Sequence, residues 1–331
     1  MTTSTSSSII LGSRGSMLAL WQANFVADKI RLLGHNVEIK TWKTTGDIVQ
    51  DRFLHEIGGK GLFIKELEDA MANGQAHLAV HSLKDLPAKI PEKFKLAAVM
   101  QRHSHHDAII FRKDIYKKFG LSKDVTITAS ILKSLGQLTV ATSSLRRKSL
   151  LTGSCPNVTT LPVRGNVDTR LKKLESEKWD AIILAEASLE RLGLKDLCSH
   201  KLDATWFVPC AGQGALAIET PMDSNLSHVL SNLECAATRS AVNIERAVLA
   251  RLGGDCTMPF GCLVSSDEKN SSMLSARAVV LSNEGESVSA TKTASKEHPD
   301  IERFLEQEII IELRKNGAND VLAKLGITTR I

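Results

Sequence analysis

Apolar and polar positions along the first two-thirds of the chain alternate between two rhythms. Short, continuous apolar runs are followed by stretches with an apolar residue every third or fourth position, the mark of buried strands alternating with amphipathic helices. Ile9–Leu11 reads as a buried strand. It passes through Gly12-Ser13-Arg14-Gly15-Ser16 into a helix with Leu18, Trp21, Phe25 or Val26, Ile30 and Leu33 on one side, closed by Gly34. Val37–Trp42 is the next strand, Leu62–Asn73 a helix ended by Gly74, and Leu78–Val80 a short strand that stops at His81-Ser82-Leu83-Lys84-Asp85. Strand following helix following strand implies a mostly parallel sheet with right-handed crossovers.

The rhythm restarts with strands at Leu138–Ala141, Val158–Val163 and Ala181–Ala185 and a helix over Asp168–Glu177. Two α/β units follow, with His103–Asp107 near the first boundary and Ala204–Gly214 marking a second crossing. Roughly the last 95 residues differ in texture and predict a smaller α+β domain. There, Ala241–Leu252 is a helix ended by Gly253-Gly254, Met273–Leu281 a strand, and Asp300 caps a helix running to Arg314.

Composition narrows the function classes. With 43% hydrophobic and 24% charged residues, the chain is globular and not disordered. No apolar run approaches the ~18–20 residues of a membrane span, and no secretory apolar region follows Met1, so a cytoplasmic protein without a membrane partner is expected. Aromatic residues are only 4% of the chain, which weakens nucleic-acid binding by base stacking. The six cysteines form no C-x-x-C pair, so they read as free thiols and not as a zinc or redox motif.

Charge is concentrated locally. Ala141–Lys173 holds seven basic residues against the single acid Asp168, an excess larger than the +5 of the whole chain. Arg146, Arg147 and Arg164 each follow a predicted strand at its carboxyl end, the edge where open α/β sheets bind ligands. Arginine forks suit carboxylate or phosphate, and Thr142, Ser143 and Ser144 add hydroxyls at a helix start. A solvated basic face is the alternative. Arg14 and Ser16 occupy a similar strand-to-helix junction, where Ser16 also serves as a simple N-cap. Gly58-Gly59-Lys60-Gly61 is a basic loop without Walker A spacing. Lys84-Asp85 sets an acid beside a base at a strand end, fit to steer a cation or to form a surface ion pair. His103-x-His105-His106-Asp107 is a poor metal set, because neighbouring loop histidines rarely converge on one ion, and no metal is expected. Cys256, after Gly253-Gly254-Asp255, is either an exposed nucleophile or a small buried residue. The residues alone give a multi-domain α/β protein with a cleft for a polyanionic small molecule.

Taken together, these segments resemble the porphobilinogen deaminase (hydroxymethylbilane synthase) family from about Ile9 to the C-terminus. Its carriers are Ser13-Arg14-x-Ser16-x-Leu18-Ala19-Leu20-Trp21-Gln22-Ala23, Thr45-Gly46-Asp47, Gly58-Gly59-Lys60-Gly61-Leu62-Phe63 and Lys65-Glu66-Leu67-Glu68. They continue with His81-Ser82-Leu83-Lys84-Asp85-Leu86-Pro87, Thr142-Ser143-Ser144-Leu145-Arg146-Arg147, Arg164-Gly165-Asn166 and Gly212-Gln213-Gly214-Ala215. The resemblance implies a transferase of tetrapyrrole (haem) biosynthesis that joins four porphobilinogens head to tail with loss of ammonia. It also implies a dipyrromethane cofactor on a cysteine thioether, here Cys256, and Asp85 as the catalytic carboxylate. Arg14, Lys60, Lys84, Arg146, Arg147, Arg164, Arg170 and Arg191 would pair with pyrrole carboxylates. Ser16, Ser82, Thr142, Ser143, Ser144 and Gln213 would add neutral contacts. Asp255, Glu56, Asp168 and Ser188 depart from the family pattern.

The implied architecture is two binding-protein-like α/β domains with a hinge, plus a smaller α+β C-terminal domain. Their bounds would be 1–102 with 213–232, 103–212, and 233–331, in a monomer. The competing class is a non-catalytic two-lobed binding protein for a polycarboxylate, which would need neither Asp85 nor Cys256.

Overall fold

The computed structural model describes residues 8–45, 64–194, 197–254, 258–329 and 331, so Lys60 and Cys256 lie outside the described residues. The chain divides into two compact units, 1–103 with 215–239, and 104–214 with 240–331.

In the first unit, β1 (Ile9–Arg14) pairs in parallel with β2 (Val37–Trp42) and β3 (Leu78–Ser82). The strand β10 (Leu216–Pro221) then runs antiparallel to both β3 and β4 (Phe94–Val99), giving the order β2-β1-β3-β10-β4. The mostly parallel sheet expected from the sequence is therefore mixed. The reason is connectivity: β10 arrives from a chain segment returning from the second unit, and no crossover helix reverses it. One face packs on α1 (Met17–Leu32), where Ala23, Val26, Ala27 and Ile30 meet Leu11, Leu78, Val80 and Ile218. The other face packs on α2 (Lys65–Ala72), through Leu67, Ala70 and Met71 against Ala79 and Phe94.

The second unit repeats the plan. The strand β6 (Leu138–Ala141) pairs in parallel with β7 (Val158–Leu161) and β8 (Ala181–Ala185). Antiparallel to β8 lies β5 (Asp107–Phe111), followed by β9 (Ser199–Lys201), for the order β7-β6-β8-β5-β9. The short helices α3 (Lys113–Phe119) and α4 (Ala129–Ser134) precede β6. Next come α5 (Leu145–Ser154), α6 (Val167–Ser176) and α7 (Glu186–Arg191), each beginning just beyond a strand of the sheet. The fully apolar strands β5 and β8, apart from Asp107, fit burial on both faces.

After α8 (Ser227–Ser231), the helix α9 (Ala236–Arg251) contains the division between the units, and starts earlier than its predicted Ala241. A separate antiparallel sheet, β11 (Phe260–Ser266), β12 (Met273–Leu281) and β13 (Ser287–Ser295), packs against α9, α10 (Ile301–Lys315) and α11 (Ala318–Lys324). The β12–β13 turn meets α5 backbone to backbone. A Cβ added at Gly153 would lie 2.1 Å from the Gly285 carbonyl oxygen, so only glycine fits there.

Candidate active site

The first unit assembles its candidate residues at the carboxyl ends of β1 and β3. Arg14 is the last residue of β1 and half-buried. Ser16 caps α1, its Oγ accepting the Ala19 amide at 3.3 Å. Gln22, one turn further along α1, donates from Nε2 to the Ser82 Oγ at 2.8 Å. His81 and Ser82, read from the sequence as a loop, are the last residues of β3. Beyond them Leu83–Asp85 forms a 3-10 turn. The buried Leu83 anchors that turn, its amide donating to the Ala215 carbonyl on the residue leading into β10. Lys84 is half-buried and Asp85 is exposed, so the turn presents the acid while its apolar neighbours hold the backbone.

The second unit gathers its candidates in two groups. In the first, Ser144 caps α5 and accepts the Arg147 amide. Ser143 exchanges two bonds with Val163: its Oγ donates to the carbonyl at 2.6 Å and accepts the amide at 2.9 Å. The Thr142 Oγ1 accepts the Ser144 amide at 3.3 Å. Arg146 and Arg147, whose forks suit a carboxylate, are 4% and 7% exposed and converge on Asp107. Arg146 reaches one oxygen of Asp107 at 2.8 Å and Arg147 the other at 2.7 Å. Arg146 also donates to the Val208 carbonyl and Arg147 to the Ile183 carbonyl. Burial opposes the Arg146 charge, but Asp107 and Cys210 beside it hold that guanidinium's pKa above its ordinary value. One carboxylate between two guanidiniums leaves a buried net positive charge, an electrostatic attraction for an anion even where the forks themselves are occupied.

Gln213 joins this group. It is fully buried, and its Nε2 donates to Asp107 at 3.1 Å and to the His105 carbonyl at 2.8 Å. Gly212 and Gly214 on either side have φ of 75° and 88°, a left-handed backbone that explains the glycines around Gln213. The Gly212 amide donates to the buried Glu245 of α9 at 2.7 Å, and the buried Arg191 donates to the Gly214 carbonyl at 2.7 Å. In the second group, Arg164 and Arg170 are both half-buried at the start of α6, where the Arg170 Nε donates to the Gly165 carbonyl.

Sequence reasoning missed Gln22, Asp107, His81 with Glu219, and Glu245. Asp107 and Glu219 did carry a signal, each being an acid within an otherwise apolar strand. The histidine run gave no metal set. His105 and His106 stack on each other with centroids 4.4 Å apart, and among the described residues no cluster suits a metal ion.

Each unit by itself offers chemistry suited to carboxylates, such as those a dipyrromethane carries. The first has the half-buried Arg14 at the N-terminus of α1 and the half-buried Lys84 beyond β3; the second has the half-buried Arg164 and Arg170 at the start of α6, with α5 opening beside the buried Arg146–Arg147 pair.

Comparison with known proteins agrees with this chemistry. Residues 9–228 match the family model "Porphobilinogen deaminase, dipyromethane cofactor binding domain", and residues 240–314 match its C-terminal domain. The chain is 38% identical over 322 residues to a porphobilinogen deaminase of Sulfurimonas denitrificans, covering 96% of each chain. It is 42% identical over 260 residues to one from Chromobacterium violaceum, covering 78% of this chain and 80% of the relative. Among solved structures, substrate binding domain 2 of Lactococcus lactis GlnP is 10% identical, with a TM-score of 0.40, covering 70% of this chain and 91% of that one. A TRAP periplasmic solute binding protein from Desulfovibrio salexigens is 14% identical, with a TM-score of 0.39, covering 69% and 72%. Both scores are too low to bear on function. The sequence relatives extend over nearly the whole chain, and by them and the two family models the chain belongs to the porphobilinogen deaminase family.

Proposed function

We infer that this chain is a hydroxymethylbilane synthase. It condenses four porphobilinogens head to tail, releases an ammonia at each step, and frees hydroxymethylbilane by hydrolysis. The observation that carries this reading is the family match across both portions of the chain, together with an exposed Asp85 presented at the end of β3. Cys256 would hold the dipyrromethane through a thioether, and that group would supply the pyrrole to which the first substrate is joined.

The chain's own residues have distinct tasks. Asp85 accepts pyrrole N–H bonds, stabilises the cation left when ammonia departs from porphobilinogen, and assists the proton transfers. In the first unit Arg14, Lys60 and Lys84 neutralise acetate and propionate groups, with Ser16 and Ser82 beside them. In the second, Arg164 and Arg170 take that task directly. Arg146, Arg147, Arg191 and Gln213 contribute through the buried positive cluster around Asp107, flanked by the hydroxyls of Thr142, Ser143 and Ser144. The same reading divides the chain into domains 1–102 with 213–232, 103–212, and 233–331. One sheet lies in each, and the last two fall in one compact unit apart from His103 and residues 233–239. The chain works as a cytoplasmic monomer on a small molecule, with no nucleic-acid or membrane partner.

Intact mass tests the covalent part. Wild type should exceed its sequence mass by two porphobilinogens less two ammonias, and Cys256→Ser should show no excess. A wild-type chain that stays at sequence mass after incubation with porphobilinogen would reduce the protein to a binder. Asp85→Asn should keep the mass excess and lose at least ~100-fold in turnover.

A further inference from the structure

Side chains of β3 alternate between the two faces of the first sheet. Val80 and Ser82 turn toward α1, where Gln22 holds the Ser82 hydroxyl. Ala79 and His81 turn toward α2. There the His81 Nε2 lies 2.9 Å from an Oε2 of Glu219, with both side chains buried. Glu219 stands opposite Ala79 in the β3–β10 register, so the His81–Glu219 contact runs diagonally across the strands. Neither Glu219 oxygen nor the His81 Nε2 makes a hydrogen bond among the described residues, so the two buried groups face each other at close range without one.

Glu68 of α2 brings a second carboxylate to this place. Burial first, and then the Glu219 charge, push its carboxyl up to about 7, with His81 acting in the opposite direction. The other charge acting on it is Asp69 of the same helix, while β1 and β4 contribute Ile10 and Phe94 to this side. His81 and Glu219 thus face each other directly before the Ser82–Asp85 segment, with the Glu68 carboxyl near enough to feel both. Apolar side chains of equal volume would pack this face at least as stably. A charged cluster with an excess of acid is therefore explained better by what it does to the adjacent turn than by packing.

We propose that His81, Glu219 and Glu68 are positioning residues for the Lys84–Asp85 turn: they fix the end of β3 from the α2 face and place net negative charge beside it, favouring the cation that Asp85 stabilises. This rests on the reading of Asp85 given above. The pair holds the strand end from one face while Gln22 holds it from the other, so Lys84 and Asp85 leave the sheet in a single direction.

The test is steady-state turnover of cofactor-loaded Glu219→Gln, Glu68→Gln and Asp85→Asn, with porphobilinogen, from about pH 6 to about pH 9. Loading is checked by mass and folding by thermal melting. Glu219→Gln should lose about tenfold or more in kcat, with KM within about twofold, and Glu219→Asp should recover part of it. Glu68→Gln should match wild type at acid pH and fall behind it above about pH 7, flattening the profile. Should Glu219→Gln fail to fold, the half-buried Glu68→Gln decides alone. Wild-type kcat and pH profile in the variants, with Asp85→Asn inactive, would overturn the positioning role. So would losses that follow melting temperature with an unshifted profile. An active Asp85→Asn would instead remove the underlying reading of Asp85.

Discussion

The two five-stranded sheets have the same strand order, and in each the strand that follows a crossing between units carries a buried acid: Glu219 on β10 and Asp107 on β5. They differ in the base that answers it. Glu219 meets His81, a side chain with a neutral form available, and its charge also acts on Glu68. Asp107 meets two arginines, which have no neutral form in a protein. The first arrangement leaves excess acid next to the Lys84–Asp85 turn; the second leaves excess base next to Thr142–Ser144 at the start of α5. One topology thus presents opposite local fields, set by a few residues on equivalent strands.

Breaking the second cluster should have the largest effect. Asp107→Asn strands two buried guanidiniums and should cost about 3–5 kcal/mol of unfolding free energy, read by denaturant titration. That cost should be nearly the same from mildly acid to mildly alkaline pH, because arginine cannot discharge.

Glu219→Gln should cost less, about 1–3 kcal/mol, because histidine can become neutral and still hydrogen-bond to the amide. A penalty as large as that of Asp107→Asn in the same denaturant titration would mean the two acids are equivalent after all.

Glu68→Gln sharpens the comparison with the opposite sign. The carboxyl sits at about 7 in the folded chain against 4.5 as its ordinary value, so the folded state binds more protons between those values. Its contribution is whole below about 4.5 and is lost as pH rises through about 7. The permanently neutral variant should therefore gain on wild type across that window, by about 1–2 kcal/mol after screening of a partly exposed group. Melting temperatures at the two ends of the window check it.

The smallest effects belong to the caps, one in each unit. Ser16→Ala and Ser144→Ala should each cost about 1 kcal/mol, because each removes one acceptor from a helix N-terminus. Similar costs at both would place the difference between the units in the buried charges and not in the local helix starts.

The sequence by itself determined the parts whose cause is local. The apolar run at Ile9 and the serine at position 16 announce β1 and α1, Gly212 and Gly214 announce a turn, and the order of motifs announces the family. Exposure of Asp85 also follows from a short apolar strand ending in a polar turn. The tertiary structure alone decided which charges meet. Asp107 and Arg146 are 39 residues apart in the chain, His81 and Glu219 well over a hundred, and neither spacing carries a periodic signal. The antiparallel entry of β5 and β10 was hidden for the same reason: pairing direction depends on where a distant segment returns, and an apolar strand reads alike in either direction. That return brings each buried acid to its base and turns a run of arginines, open by composition, into a closed cluster around one carboxylate.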